Sequence, residues 1–90
     1  MFYAEKIRMK KGKEKSYELL EIDDIFVKGF GWQKKAYYYD WLKKHPESIA
    51  VDISPFPKLI GQLSVNNEKY VKSKPNKIGY DNLLDLPREQ

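Results

Sequence analysis

Residues 33–46 read QKKAYYYDWLKKHP, and the spacing of their apolar side chains decides the fold. At about 100° per residue, Tyr37, Tyr38, Trp41, Leu42 and His45 gather on one arc of about 140°. Lys35, Ala36, Tyr39, Asp40, Lys43 and Lys44 fall outside that arc. This is the pattern of a helix with a single apolar stripe. Lysines near its end suit the negative pole of the helix dipole, and Pro46 stops it. No N-terminal capping residue is evident. Tyr38, Trp41 and Leu42 are the side chains expected in the core.

On both sides of this helix the period changes to alternation, the mark of strands. In residues 2–9, FYAEKIRM, Tyr3, Ile7 and Met9 fall on one face with Glu5, and Ala4, Lys6 and Arg8 fall on the other. KKGKEKS, 10–16, is a polar turn relieved by Gly12, and YELLEI, 17–22, is expected to return as a second strand. The first hairpin would then carry a loose basic tip. Ile25, Phe26 and Val27 form a short third strand before Gly29 and Gly31 interrupt it. After the helix, residues 49–53 and 59–65 alternate again, separated by SPFP, whose prolines exclude it from a sheet interior. Asn66 and Asn67 mark a tight turn into a closing strand at 68–73. KPNKIG follows as a turn or loop. YDNLLDLP then makes one helical turn, capped by Asp81 and ended by Pro87.

The expected architecture is a single α+β domain spanning residues 1–90. One central helix packs on a mostly antiparallel sheet of about five strands, in the order β-β-α-β-β-β, with a short C-terminal helical turn. Strand order is not fixed by the sequence.

Ninety residues without a cysteine leave packing alone to hold the fold. A chain this short buries only about 60–65% of its unfolded surface, so aromatic side chains carry much of the core. With no cysteine there is neither a disulfide framework nor a thiolate metal site. No apolar run approaches the roughly 20 residues of a spanning helix, and the N-terminus lacks the order of a secretion signal. A soluble, cytoplasmic protein without a membrane partner is expected.

The tail carries a resemblance. Tyr70, Val71 and Lys72, then Pro75 and Asn76, then Asp81, Asn82, Leu83, Leu84, Leu86 and Pro87 form a signature. It resembles the C-terminal signature of a family of small bacterial domains of unknown function. The opening YAEKIRM is similar to that family's start. The likeness covers about a quarter of the chain. It implies a compact bacterial domain and brings no activity, cofactor or catalytic residue with it.

Groups for catalysis are sparse. His45 is the sole histidine, and no serine or cysteine nucleophile motif accompanies it. At a helix end it is better read as serving the terminal carbonyls and the dipole. Asp81 and Asp85 are four apart, but divalent cations want several converging oxygens. Asp81 reads as a cap, and Asp23 with Asp24 as turn residues. GFGWQK lacks the third glycine of a nucleotide-binding loop, because Lys34 stands there, so it is read as flexible entry to the helix. The expectation is no enzyme, no cofactor and no metal.

Charge points instead to binding. The net charge is +4, and residues 1–45 hold the whole basic excess. Of 17 basic residues only Arg8 and Arg88 are arginine, the residue favoured for bidentate recognition. Lys10, Lys11, Lys13 and Lys15 crowd the first hairpin tip, where lysines also serve to protect an edge. Lys35, Tyr39 and Lys43 form an outward helix patch beside the core stripe, and Lys72 and Lys74 sit in the tail. These nine residues are the candidates for contact with nucleic acid or an acidic protein surface, through lysine–phosphate pairing and aromatic stacking. Whether hairpin and tail lysines share a face is the question left to the structure. The alternative is a protein-interaction or structural module, self-associating through a sheet edge or through SPFP. Phe56 there is either displayed between prolines or, as more often in such corners, turned into the core.

Overall fold

The helix forms where the stripe places it, as α1 over Lys35–Lys44. The computed structural model describes residues 1–74 and 81–89; Pro75, Asn76, Lys77 and the turn expected around them lie outside the described residues. Tyr38 and Leu42 are buried, and Tyr38 donates its hydroxyl to the Gly31 carbonyl at 2.9 Å. Trp41 is only partly buried, because its indole N–H reaches out to the Ser48 hydroxyl at 3.0 Å. Lys34 stands at the cap position with no side-chain bond to the helix.

Six strands complete the α+β fold: β1 Phe2–Met9, β2 Ile22–Val27, β3 Gly31–Lys34, β4 Ile49–Val51, β5 Leu59–Leu63 and β6 Lys69–Ser73. They make two sheets, one ordered β3-β2-β1-β4 and one of β5 with β6. Every pairing is antiparallel except β1 with β4. A bridge from Ala50 to Lys58 ties the second sheet to the edge of the first. The helix lies against β5 and β6 and also touches β2 and β3.

Several expectations are corrected here. YELLEI is not a strand: Leu19–Glu21 is a 3-10 turn, and the ladder with β1 starts only where Met9 meets Ile22. Asp23 and Asp24 accordingly lie inside β2, where cations on neighbouring strands balance them. GFGWQK is a hairpin rather than a flexible entry: Phe30 donates to the Val27 carbonyl, Gly29 and Gly31 adopt positive φ, and β3 runs straight into α1. A register shift between Ala4 and Lys6 changes the face of β1. Ala4 joins Ile7 and Met9 in the core while Tyr3 is exposed, because a bulge inserts one residue into the alternation. Phe56 is not in the core; it is 49% exposed and meets the ring of Tyr3 edge to face.

The tail closes the fold. Asp81 accepts from the Ser73 amide at 3.0 Å, from the Ser73 hydroxyl at 2.9 Å and from the Leu83 amide at 2.9 Å. It thus caps the 3-10 turn Asn82–Asp85 and fastens it to β6. Leu83, Leu84 and Leu86 are buried in the common core. Beyond them Ile7 donates to the Pro87 carbonyl and accepts from the Glu89 amide, so the tail covers the stretch of β1 that β4 leaves open.

Candidate nucleic-acid interface

Most cations among the described residues already have an ion pair or a ring contact. Glu68 binds both Lys35 at 2.7 Å and Lys10 at 3.4 Å. Lys35 is chiefly responsible for holding the Glu68 carboxyl below the usual range. Lys35 itself is only 7% exposed and also donates to the Leu20 carbonyl. It therefore does not belong to the outward helix patch expected of it, since its charge is satisfied from two neighbouring segments. Glu47 binds Lys74 at 2.7 Å and Lys58 at 3.7 Å, and Lys74 does most to hold its carboxyl below the usual range. Asp40 holds Lys69 at 2.8 Å and raises it. Lys34 is raised by Asp24 and Asp23.

Tyr39 is likewise less free than expected. Its ring covers Gly61 of β5 and has Lys43 at 5.0 Å and Lys69 at 5.5 Å from its centroid. The outer face of the four-stranded sheet shows the same economy. Arg8 stacks on Trp32 at 4.1 Å and Lys6 lies over Phe26 at 5.1 Å, while Asp24 and Glu89 neutralise them. A groove of about 430 Å³ at the start of α1 contains Lys10, Lys34, Lys35 and Lys69, but each ammonium faces a carboxylate. An anion entering there must first break those pairs.

The candidate lysines do not share one face. Lys10 and Lys35 converge on Glu68, next to Lys69. Lys72 points to the opposite side of β6 from Lys69 and Val71 by strand alternation, and Lys74 turns to Glu47.

Lys28, Lys44 and Lys72 have no ion pair or ring contact among the described residues and stand on three separate segments, whereas the uncommitted lysines that cluster lie in the connection between β1 and β2. Lys11, Lys13 and Lys15 are exposed and have no ion pair or ring contact among the described residues. The loop that carries them is built, not loose. Its base is closed by the Lys10 amide on the Glu21 carbonyl. Two successive turns follow, with Lys13 donating to the Lys10 carbonyl and Ser16 to the Lys13 carbonyl. Gly12 takes φ of +81°, which a side chain would resist, and its amide donates to the Glu14 carboxylate at 2.6 Å. Arg88 from the tail donates to the Glu14 carbonyl at 2.9 Å and lays its guanidinium on the Tyr17 ring. Tyr17 is 71% exposed.

Three free ammonium groups and an open aromatic ring on one braced loop can pair with phosphates and stack a base. Lys10, Lys11, Lys13 and Lys15 could be picked from the sequence as a cluster, but Tyr17 and Arg88 could not. Tyr17 looked like the first residue of a strand, and Arg88 lies more than seventy residues from its loop partner.

No family model, curated protein or solved structure matches the chain. Among the described residues no three His, Cys, Asp or Glu side chains gather as a metal ion would require. No described helix is long and apolar enough to cross a membrane.

Proposed function

We propose that this protein is a small non-enzymatic binding module that holds single-stranded nucleic acid on the loop of residues 10–17. The observation that carries this is the contrast in charge use. Elsewhere many of the lysines meet a carboxylate, whereas Lys11, Lys13 and Lys15 meet none among the described residues and stand beside the exposed ring of Tyr17. Phosphates are engaged without first breaking an ion pair, and the ring supplies a sequence-tolerant stacking surface. An acidic protein face would satisfy the lysines but would leave the ring without a matched partner. Double-stranded nucleic acid would hide its base faces from Tyr17.

The test is fluorescence anisotropy with random single- and double-stranded oligonucleotides at low and high salt. The expected result is salt-sensitive binding that favours the single strand. Absence of binding at low salt would overturn the proposal.

A second reading, a self-associating module, is favoured by the exposed Tyr3 and Phe56 pair at the corner between β4 and β5. Light scattering decides it: a mass that grows with concentration, and that Phe56→Ser abolishes, is the expected signature. A constant monomer mass removes it.

A further inference from the structure

Next to the basic loop lies an open groove of about 430 Å³, lined by Tyr17 and by Tyr70 of β6. Leu19, Leu20 and Leu84 supply apolar lining, and the charged groups in it are Glu18 and Asp81. No cation lines it. The volume lies in the range of small-ligand sites and is large enough for a flat heterocycle beside the phenol rings. Asp81 is committed, with both carboxylate oxygens bonded to Ser73 and Leu83. The Glu18 carboxylate is not: among the described residues Glu18 is bonded through its backbone only.

We infer that this groove is a base pocket that prefers guanine in a single strand whose phosphates lie on Lys11, Lys13 and Lys15. The inference rests on the single-strand function proposed above. An ionised carboxylate is an acceptor without donors. Guanine presents two adjacent donors on its pairing edge, the N1–H and an N2–H, and these fit the two oxygens of one carboxylate. Cytosine and adenine bring one amino group each, and thymine a single N–H beside carbonyls that a carboxylate repels. The backbone charge requires cations and the base edge requires an acceptor, and here the two needs are met by separate neighbours. Single-stranded bases splayed out, stacked on aromatic rings and bonded along this edge are how sequence is read in unpaired nucleic acid.

The experiment uses short oligothymidylate strands that each carry one central guanine, adenine or cytosine, together with the plain oligothymidylate. The wild-type protein is expected to bind the guanine-bearing strand more tightly by roughly tenfold, in line with a bidentate base contact. Glu18→Gln brings that strand to the affinity of the others, and so does Glu18→Asp, which keeps the charge but shortens the reach. Salt-sensitive binding of all four strands with equal affinity overturns the pocket while leaving the single-strand function standing. A guanine preference that survives in both Glu18 variants also overturns it. Failure of every strand to bind at low salt removes the function and the pocket together.

Discussion

Arg88 places its guanidinium 4.9 Å from the centre of the Tyr17 ring while its Nη1 donates to the Glu14 carbonyl at 2.9 Å. Its Nη2 reaches back to the Leu84 carbonyl at 3.1 Å. One tail side chain therefore spans the buried leucine plug and the basic loop. Arg88→Ala is expected to weaken oligonucleotide binding more than the loss of any one exposed lysine, because it releases the loop and the ring together. Arg88→Lys should rescue little, since an ammonium cannot reproduce the flat, forked contact. Anisotropy titrations of the three variants check this; equal affinity for wild type and Arg88→Ala would contradict it.

Removing Lys11, Lys13 and Lys15 together, as alanines, should flatten the salt dependence of binding. For a single strand, each phosphate contact contributes about 0.7 to the slope of log K against log salt, so the slope should fall by about 2. The melting temperature should stay near the wild-type value, because none of the three makes an ion pair among the described residues. An unchanged slope would place the nucleic acid elsewhere.

Asp81→Ala removes the acceptor for three donors and leaves the Ser73 amide, in a residue only 5% exposed, without its partner. The expected cost is about 2–4 kcal/mol, from a lost cap and an unsatisfied buried donor. Asp81→Asn keeps one acceptor and should cost less. Ending the chain after Gly79 removes the plug as well and should destabilise the fold further. Urea unfolding of the three proteins gives the order directly.

Gly61 has no room for a methyl group. A Cβ there would sit 2.9 Å from Cδ2 of Tyr39, a ring already flanked by Lys43 and Lys69. Gly61→Ala should cost about 1–3 kcal/mol through overpacking. Adding Tyr39→Leu should recover part of that loss, and thermal melts of the single and double variants measure the coupling.

Stability should fall at both ends of the pH range. Lysines hold the carboxyls of Glu68 and Glu47 below their ordinary value of 4.5. Between the lowered and the ordinary value the unfolded chain binds more protons than the folded one. Their contribution is therefore complete above pH 4.5 and is lost as the pH drops through the lowered values. At the other end, burial raises the Tyr38 phenol above its ordinary 10.0, and Asp40 raises Lys69 above 10.5. Those contributions are complete below these ordinary values and are lost progressively as the pH rises from them toward the raised ones. Tyr38→Phe should remove the phenol's share of the alkaline loss, which thermal melts from pH 7 to 11 would show.

The helix was readable because Tyr38 and Leu42 follow a local period and Pro46 ends it within the same few residues. The tail clasp was readable for the same reason: Asp81, the leucines and Pro87 are all local signals. What misled the pattern was non-local. Glu5 sits at a bulge that only pairing with β2 defines, so one face of β1 was misassigned. Lys35 is buried because Glu68, thirty-three positions later, meets its charge, and a lysine just outside the apolar stripe gives no hint of that. β3 has four residues after a glycine turn, too few for alternation to declare itself. The division of six strands into two sheets follows from the parallel pairing of β1 with β4, which no turn signal encodes. At the candidate interface the lysines were visible by composition, whereas the ring and the arginine that brace them were not.

The pairing of Ile7 with the backbone on either side of Arg88 also bears on how the molecule comes together. Its partners are about eighty positions apart along the chain, so closing that contact draws nearly the whole polypeptide into one ring before the reward is collected. Contacts of such long sequence separation slow folding, because chain entropy is lost first. The opening strand must therefore wait for its last neighbour, and the hairpin of β2 with β3, whose contacts are local, is the natural place for order to begin.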